Sequence, residues 1–265
     1  MTEKEYRNHP AVSRSELWRI HESPQKFKFF KENPEEPTPA LLFGQAFHKL
    51  ALEPETFFEE FAVAPDVDRR TKEGKQRWND FVETSANKTV LPSEMYVQAL
   101  VMCEAMMAEP LAAKLLNGAR EVPFFWTDEQ TGEACKCRAD CFNTNYSQPI
   151  IVDVKSATEA STEAFTRDAV KYGYDFQAAM YSEGVTCNIS QKPLFVFIVV
   201  EKAPPYAVNI LQADELFLRR GYYLFRDYIG IYHDCKQTGN WYGYLGKTSQ
   251  INTLALPTWL AKEME

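Results

Sequence analysis

Two apolar runs, each carrying one aspartate, constrain the fold of this chain more than any other feature. Residues 133–142 contain Cys-Lys-Cys-Arg-Ala-Asp-Cys, and residues 149–155 contain Ile-Ile-Val-Asp-Val-Lys after a short polar turn. The pattern predicts two strands. Side chains at i and i+2 of a strand share a face, so Asp153 and Lys155 project together while the flanking valines face the opposite layer.

Asp140 lies near the end of the first run and supplies a second carboxylate next to the Asp153–Lys155 pair. Carboxylates of this kind bind Mg²⁺, and a neighbouring ammonium orients or activates a water, as in a hydrolytic metal site. An Asp-x-Lys triplet is expected about once by chance in a chain of this charge content, so the triplet alone is more simply explained by a surface ion pair. The rest of the chain decides between these interpretations.

The composition is that of a folded protein, and it does not identify a binding partner. The chain has 265 residues, 45% of them hydrophobic, enough for one large domain with a sizeable core. No apolar run reaches the length of a membrane span, and residues 1–7 lack a signal-peptide pattern, so we expect a cytoplasmic protein without a membrane partner. The net charge of −8 argues weakly against nucleic acid, but an acidic exterior is compatible with one basic groove.

Three of the six cysteines, Cys135, Cys137 and Cys141, are closely spaced. Their Cys-x-Cys-x₃-Cys pattern lacks the paired Cys-x₂-Cys spacing of common zinc sites. Because Cys135 and Cys137 share a face of the predicted strand, we interpret them as small buried apolar residues rather than as metal ligands.

The N-terminal third predicts helices. Residues 13–32 begin with Ser13 three positions before Glu16, which is a capping-box pattern. Residues 40–53 predict a second helix with an apolar stripe, and His48 lies at the margin of that stripe. A lone helix histidine is more often a packed or surface residue, and His48 gains a function only if this helix faces the two aspartates.

The densest basic cluster lies in residues 65–78, ahead of two further helices predicted over about 74–86 and 93–117. Such a run is most often a solvated surface, but in a nucleic-acid enzyme it contacts backbone phosphates. Its cations are Arg69, Arg70, Lys72, Lys75 and Arg77.

The remaining pattern predicts an α/β fold with a mixed central sheet flanked by helices. Glu121 opens the first predicted strand, and Gln177 and Tyr181 share a helix face at i, i+4. The predicted strands are 121–127, 133–142, 149–155, 193–201 and 206–211, and the predicted helical regions are 160–187, interrupted near Gly173, and 213–238.

One domain over residues 1–265 is the simplest division, because no repeat, low-complexity tract or composition break occurs. Its parts are a helical region of about 10–118, a core of about 119–238 and a tail of 239–265. We expect the apolar tail, with Trp241, Tyr242, Tyr244 and Trp259, to pack against the core.

Several segments from about residue 10 onward carry a family resemblance when taken together. They are Phe43-Gly-Gln-Ala-Phe-His48, Arg69-Arg-Thr-Lys-Glu-Gly-Lys75, Cys135-Lys-Cys-Arg-Ala-Asp140, Asp153-Val-Lys155, Phe176-Gln-Ala-Ala-Met-Tyr-Ser182 and Leu194-Phe-Val-Phe-Ile-Val. The chain resembles the PD-(D/E)XK nuclease superfamily, in its RecB-type and phage recombination branch, and within it the RecE (exonuclease VIII) nuclease domains. Ala139 stands where the family's name has a proline, and the cysteines do not fit the four-cysteine iron–sulfur arrangement of the RecB and Cas4 branches.

The resemblance implies a Mg²⁺-dependent 5′→3′ exonuclease, with Mn²⁺ as an alternative ion and no iron–sulfur cluster. Such an enzyme digests one strand from the ends of linear double-stranded DNA and leaves 3′ single-stranded tails for a RecT-like annealing protein. The resemblance also implies a homo-oligomeric ring of three or four subunits and a bacterial or phage-infected cell.

The same resemblance implies roles for individual residues. The expected metal ligands are His48, Asp140, Asp153, the Val154 carbonyl and, as an additional ligand, Glu121. Lys155 is expected to position the attacking water, and Gln177 and Tyr181 to orient the strand or support Lys155. The expected phosphate contacts are Arg69, Arg70, Lys72, Lys75 and Arg138.

Two other functions are compatible with the sequence. One is a RecB- or Cas4-like repair nuclease or endonuclease, which would cut closed circular DNA. The other is a catalytically inactive DNA-binding module, although the joint presence of the acidic, Lys, His, Gln and Tyr residues argues against it.

Overall fold

A mixed β-sheet with helices on both faces forms the centre of the structure, a computed structural model that describes residue 1 and residues 3–257. The strands are β1 Val12–Ser13, β2 Phe61–Val63, β3 Thr89–Leu91, β4 Ala119–Thr127, β5 Ala134–Asn143, β6 Ile150–Ala157, β7 Leu194–Glu201 and β8 Val208–Gln212. The helices are α1 Glu3–Asn8, α2 Arg14–Trp18, α3 Pro24–Glu32, α4 Pro39–Leu52, α5 Phe57–Glu60, α6 Lys72–Thr84, α7 Ser93–Ala108, α8 Pro110–Leu115, α9 Thr162–Lys171, α10 Tyr174–Ile189 and α11 Glu215–Thr238. The predicted fold class is therefore confirmed.

Six strands form the main sheet in the order β1-β5-β6-β7-β8, with β4 also paired to β5, while β2 and β3 pair separately. The β6–β7 pair is parallel, and β4–β5, β5–β6 and β7–β8 are antiparallel. The β4–β5 hairpin and the strand that follows it agree with the sequence prediction. The strands β1, β2 and β3 were not predicted, because runs of two or three residues carry no period.

β5 changes partners along one edge, and the change opens a gap in the sheet. β4 occupies the other edge along the length of β5. On the open edge, β1 pairs parallel with Cys135 and Lys136, whereas β6 pairs antiparallel with residues 141–143. Residues 137–140 have no ladder partner on that edge among the described residues. We call the gap bounded by β1, β5 and β6 the fork; its closed end is the Cys141–Val152 pair.

Apolar packing on both faces of the sheet holds the fork in place. β7 alternates strictly: Phe195 and Phe197 pack with α2, α9, α10 and α11, whereas Val196 and Ile198 pack with α4, α7 and α8. The strand predicted at 193–201 is therefore confirmed as β7, and it is buried on both faces. Within the described part of the chain, no helix has the length and apolar character needed to traverse a bilayer.

Proline and glycine divide the predicted helical regions. The region 93–117 is broken at Pro110 into α7 and α8, since proline cannot continue a helix. The interruption near Gly173 is confirmed: this residue has φ +66°, and a Cβ on it would overlap the Trp18 ring. The capping box of Ser13 and Glu16 is also present, at the start of α2.

The tail follows the sequence prediction only at its start. Trp241 stacks on Phe27 with 5.2 Å between ring centroids. Beyond it, Ile251 and Leu254 are almost fully exposed, so the expectation that the tail packs against the core is wrong for this part. Trp259 lies outside the described residues.

Gly221 of α11 provides a test of the helix packing behind the sheet. A Cβ at this position would overlap the main-chain carbonyl of Asp175 at the start of α10. Gly221→Ala is therefore expected to lower the free energy of unfolding by about 1–3 kcal/mol, measured by urea denaturation. The matched control is Gly230→Ala in the same helix, where nothing lies within 4 Å; it should stabilise by about 0.5–1 kcal/mol. Equal effects of the two substitutions would contradict this packing.

Candidate functional site

Asp140 and Asp153 are the first residues beyond the closed end of the fork, one on β5 and one on β6. Both are buried, with 7% and 1% of their surface exposed. The Asp140 carboxylate accepts a hydrogen bond from the Val154 main-chain N–H at 2.8 Å. A side chain thus takes the place of a ladder bond where the strands separate, and this fixes the carboxylate of β5 against β6.

Lys155 and Gln177 both contact Asp153. The Lys155 ammonium lies against Asp153 Oδ2, and Gln177 donates a hydrogen bond from Nε2 to Asp153 Oδ1. Gln177 reaches Asp153 because α10 begins at Tyr174, one turn earlier, directly after Gly173. The Tyr174 ring lies 4.9 Å from the Lys155 ammonium, and a cation over an aromatic face is attracted to it.

His48 of α4 joins the same cluster. Its Nε2 lies 2.7 Å from Asp140 Oδ2, and its Nδ1 lies 3.5 Å from Glu121 Oε1. A third of the His48 side chain is exposed, so the cluster is open to solvent on this side. The helix that contains His48 therefore faces the two aspartates. The sequence analysis made a function of His48 depend on this orientation.

Glu121 adopts a strained backbone conformation next to Asp140. The β4–β5 ladder pairs the residues on either side, Arg120 with Cys141 and Val122 with Ala139, but not Glu121 with Asp140. Glu121 has φ +51°, a left-handed conformation that is uncommon for a residue with a side chain. Such strain costs of order 1–3 kcal/mol and is typically found at functional sites.

Burial and neighbouring charges shift the ionisation of the whole cluster. Burial acts to lower the pKa of His48, but Asp140 and Glu121 outweigh it and raise the pKa to about 9. Burial raises the pKa of Glu121 to about 7. Burial also raises the pKa of Asp153, whereas for Asp140 it is outweighed by His48, so that this pKa lies below its usual range. For Lys155, burial is outweighed by Asp153 and Asp140, which raise its pKa.

The donor atoms of the cluster fit a divalent cation. Ligand atoms of His48, Glu121 and Asp140 all lie within 4.8 Å of one another. Glu121 Oε1 and Asp153 Oδ2 are enclosed carboxylate oxygens that face His48 Nδ1 and the Lys155 ammonium, respectively. Buried carboxylates are stabilised by nearby positive charge, so a divalent cation is a suitable further partner for them. Carboxylate oxygens with one imidazole form a donor set suited to hard or borderline divalent ions.

The structure brings most of the sequence-predicted site residues together at the fork. Tyr181 lies in α10 one turn after Gln177, half-buried, with its ring 6.3 Å from that of Phe195. Arg138 also belongs to the cluster, where its guanidinium forms an ion pair with Glu121 rather than pointing freely to solvent. The cluster comprises His48, Glu121, Arg138, Asp140, Asp153, Val154, Lys155, Gln177 and Tyr181.

The cations of residues 69–75 lie on the exposed segment before α6 and in the first turn of that helix. Arg70 pairs with Asp68, and Arg69 lies over the Trp78 ring at 4.4 Å. Lys72 and Lys75 are exposed.

Three residues that the sequence analysis did not single out also border the fork: Tyr6, Arg14 and Tyr174. Tyr6 lies under the Arg138 guanidinium at 5.1 Å, and Arg14 immediately follows β1. Only Tyr174 had a usable signal, because it directly follows the helix-breaking Gly173 and precedes Gln177 by one turn. Cys135, Cys137 and Cys141 are buried thiols that pack in the core.

Comparison with known proteins places this arrangement in a class. The fold and the Asp-x-Lys strand define a PDDEXK-like domain, and the family described as a PDDEXK-like domain of unknown function (DUF3799) matches residues 13–253. The chain belongs to this family. Comparison with curated proteins gives no match.

A solved structure shares the fold. A crystal structure from Eubacterium rectale, provisionally described as an exonuclease, is 14% identical, covers 99% of this chain and 97% of its own, and has a TM-score of 0.63. A second structure, described as SSO0001, is 16% identical over 71% of this chain and 85% of its own, with a TM-score of 0.35. Family and fold together support a nuclease.

The raised pKa of His48 predicts how stability depends on pH in the presence of EDTA. A histidine whose pKa is about 9 in the folded state and about 6.5 when unfolded stabilises the fold below pH 6.5, and this stabilisation is lost as pH rises through 9. We expect the metal-free protein to lose about 1–2 kcal/mol between pH 7 and 9 in urea unfolding, since partial exposure screens the interaction.

His48→Gln is the comparison for this measurement, because it keeps a polar side chain without the titration. Its unfolding free energy should fall less steeply than that of the parent over pH 7–9. Burial also raises the pKa values of thiols such as Cys103, Cys135 and Cys137, but their contribution to the slope is common to both proteins. Glu121 changes the unfolding free energy mainly between its unfolded pKa and its folded pKa of about 7. This range lies below pH 7–9, so Glu121 does not account for a slope measured there. The same pH slope in parent and variant would contradict the His48–Asp140 interaction.

Proposed function

We propose that this protein is a Mg²⁺-dependent exodeoxyribonuclease that digests one strand from the ends of linear double-stranded DNA in the 5′→3′ direction. The observation that carries the proposal is the meeting of Asp140 and Asp153 at the fork, with Lys155 against Asp153 and His48 against Asp140. Buried carboxylates with an ammonium and open acceptor oxygens are suited to phosphodiester hydrolysis rather than to structural support.

Mg²⁺, or Mn²⁺ in its place, would be held by Asp140, Asp153 and the Val154 carbonyl, with His48 and Glu121 at the same centre. Such an ion polarises a phosphate oxygen and lowers the pKa of a bound water. The residues of the chain do the remaining work. Asp140 and His48 keep each other in place, and Gln177 fixes one oxygen of Asp153 while the other faces the Lys155 ammonium.

Lys155 is the group that acts on the water and on the developing charge. The charges of Asp153 and Asp140 keep it protonated, so it acts as a hydrogen-bond donor and an electrostatic stabiliser rather than as a base. The Tyr174 ring supports the ammonium from one side. Tyr181, one turn beyond Gln177 on α10, is in a position to orient the scissile strand.

The wider assignments extend this proposal. The exposed cations Arg69, Arg70, Lys72 and Lys75 are proposed to contact backbone phosphates away from the fork. We propose that the protein acts in the bacterial or phage-infected cytoplasm as a ring of three or four subunits and that a RecT-like protein anneals its 3′ tails. These assignments rest on the RecE-like motifs of the sequence.

Hydrolysis is tested by incubating linear duplex DNA with the protein in Mg²⁺ or in EDTA. Degradation is expected only with the divalent ion. Asp153→Asn and Lys155→Gln are each expected to lower the rate about a hundredfold or more, because each removes a charge that faces the reacting phosphate. The matched control is Arg167→Gln, which removes an exposed ion pair with Glu163 and should leave the rate unchanged.

Two further substrates test the polarity of digestion and the requirement for a DNA end. Labels placed separately at the 5′ and the 3′ terminus show which end is released first, and 5′ release supports the proposal. Cutting of closed circular DNA would instead identify the RecB- or Cas4-like alternative. Degradation by Asp153→Asn at the parent rate would reject the fork as the catalytic centre.

A further inference from the structure

We propose that Arg14 binds a phosphate of the substrate strand beside the fork, through the edge of its guanidinium that the protein leaves unoccupied. This inference rests on the proposed nucleic-acid substrate and assigns a residue that neither the motifs nor the metal centre include. It is carried by the position of Arg14, by its hydrogen bonds and by its charge balance.

The backbone brings Arg14 to the open end of the fork. β1 ends at Ser13, which is in register with Lys136 of β5, and Arg14 is the next residue. The fork therefore has the Asp140–Asp153 centre at its closed end and Arg14 at the end bounded by β1. A strand lying along the fork would pass from the metal ligands toward this guanidinium.

The hydrogen bonds of Arg14 fix its direction and leave one edge open. Nη2 donates to the main-chain carbonyls of Tyr172 and Gly173, at 2.9 Å for the second, and so ties Arg14 to the turn before α10. Nε is enclosed without a partner. Nη1 makes no hydrogen bond in the described residues and, unlike Nε, is not an enclosed atom without a partner. Because Arg14 is half-buried rather than buried, Nη1 is the edge that an external anion reaches.

Aromatic contacts hold the guanidinium in this orientation. Its carbon lies 5.3 Å from the centroid of the Trp18 ring and 6.0 Å from that of Phe176. Trp18 is itself fixed, because it packs directly on Gly173, where no Cβ fits. A stacked arginine loses little freedom on binding an anion, which makes it well suited to phosphate recognition.

The charge of Arg14 has no carboxylate partner within ion-pair distance in the described residues. The other enclosed arginines near carboxylates are paired: Arg138 with Glu121, and Arg226 with Asp128. Arg120 also bonds carbonyls, but it uses both Nε and Nη1 for them. Burial lowers the pKa of Arg14, which means that the folded protein stabilises this cation incompletely and that a bound phosphate would improve its environment.

Binding in EDTA tests this role without requiring hydrolysis. The affinity of a short linear duplex for the parent, Arg14→Gln and Arg14→Lys proteins is measured over a range of NaCl concentrations. Loss of one phosphate contact is expected to weaken binding about tenfold for Arg14→Gln and to reduce the salt slope by about 0.7–0.9. Arg14→Lys should keep the slope, because it keeps the charge, while binding more weakly than the parent.

A single neutral methylphosphonate, moved along the strand, identifies the phosphate concerned. At one position it should weaken binding to the parent about tenfold and leave Arg14→Gln unaffected. Arg19→Gln is the matched control, because Arg19 lies in the same segment but pairs with Glu35 on the surface, and it should behave as the parent does. If Arg14→Gln fails to fold, as judged by urea unfolding, the lysine variant decides the question, because its coupling to that one phosphate must differ from that of the parent.

Each outcome bears on one proposal or the other. An unchanged slope and unchanged coupling in the Arg14 variants would overturn this inference, as would a parent that binds no DNA. A parent that binds DNA with an Arg14-dependent slope but never hydrolyses it would overturn the proposed reaction and leave the phosphate contact standing.

Discussion

The hydrogen bond from the Val154 N–H to the Asp140 carboxylate is the interaction on which the candidate site depends. At this point β5 and β6 stop pairing, and a main-chain donor inside the sheet would otherwise be left without an acceptor. Such a donor is costly to leave unsatisfied, so the fold itself requires an acceptor at position 140. The requirement brings one carboxylate beside a second one on β6. A structural requirement therefore fixes one carboxylate of the candidate site.

The cluster is assembled from elements that would be stable without it. α4, β4, β5, β6 and α10 each have an apolar face in one of two large cores, and each contributes one or two polar residues to the fork. The result is a group of largely enclosed ionisable residues that includes Asp140, Asp153 and the strained Glu121. A stable domain can sustain this local cost, and the cost marks the place where a cation and a substrate are expected.

The sequence predicted the fold well where hydrophobic periodicity is strong, and poorly where only two or three residues form an element. β7 and the β4–β5 hairpin were accessible because their alternation is a local property. β1 was not, because two residues carry no pattern and their pairing with Cys135 and Lys136 is a long-range event. Pro110 is a helix-breaking residue, but the apolar pattern continues on both sides of it. The sequence analysis therefore predicted one helix where the structure has α7 and α8. For the site, Asp140, Asp153 and Lys155 followed from strand geometry, whereas the direction in which His48 faces depended on how α4 packs.

Arg14 shows most clearly why the remaining part of the site was not predictable. A single arginine in a capping-box helix reads as a surface cation, and nothing near it in the sequence suggests otherwise. Two other features determine the position of Arg14. β1 enters the gap that β6 leaves along β5. Gly173 has no side chain, so Trp18 and the guanidinium can lie against the turn before α10. The change of partner along β5 thus leaves the two aspartates at one end of the gap and places a cation at the other. A polyanion lying along the gap would meet this cation at one end and, with a divalent ion bound by the carboxylates, a positive centre at the other.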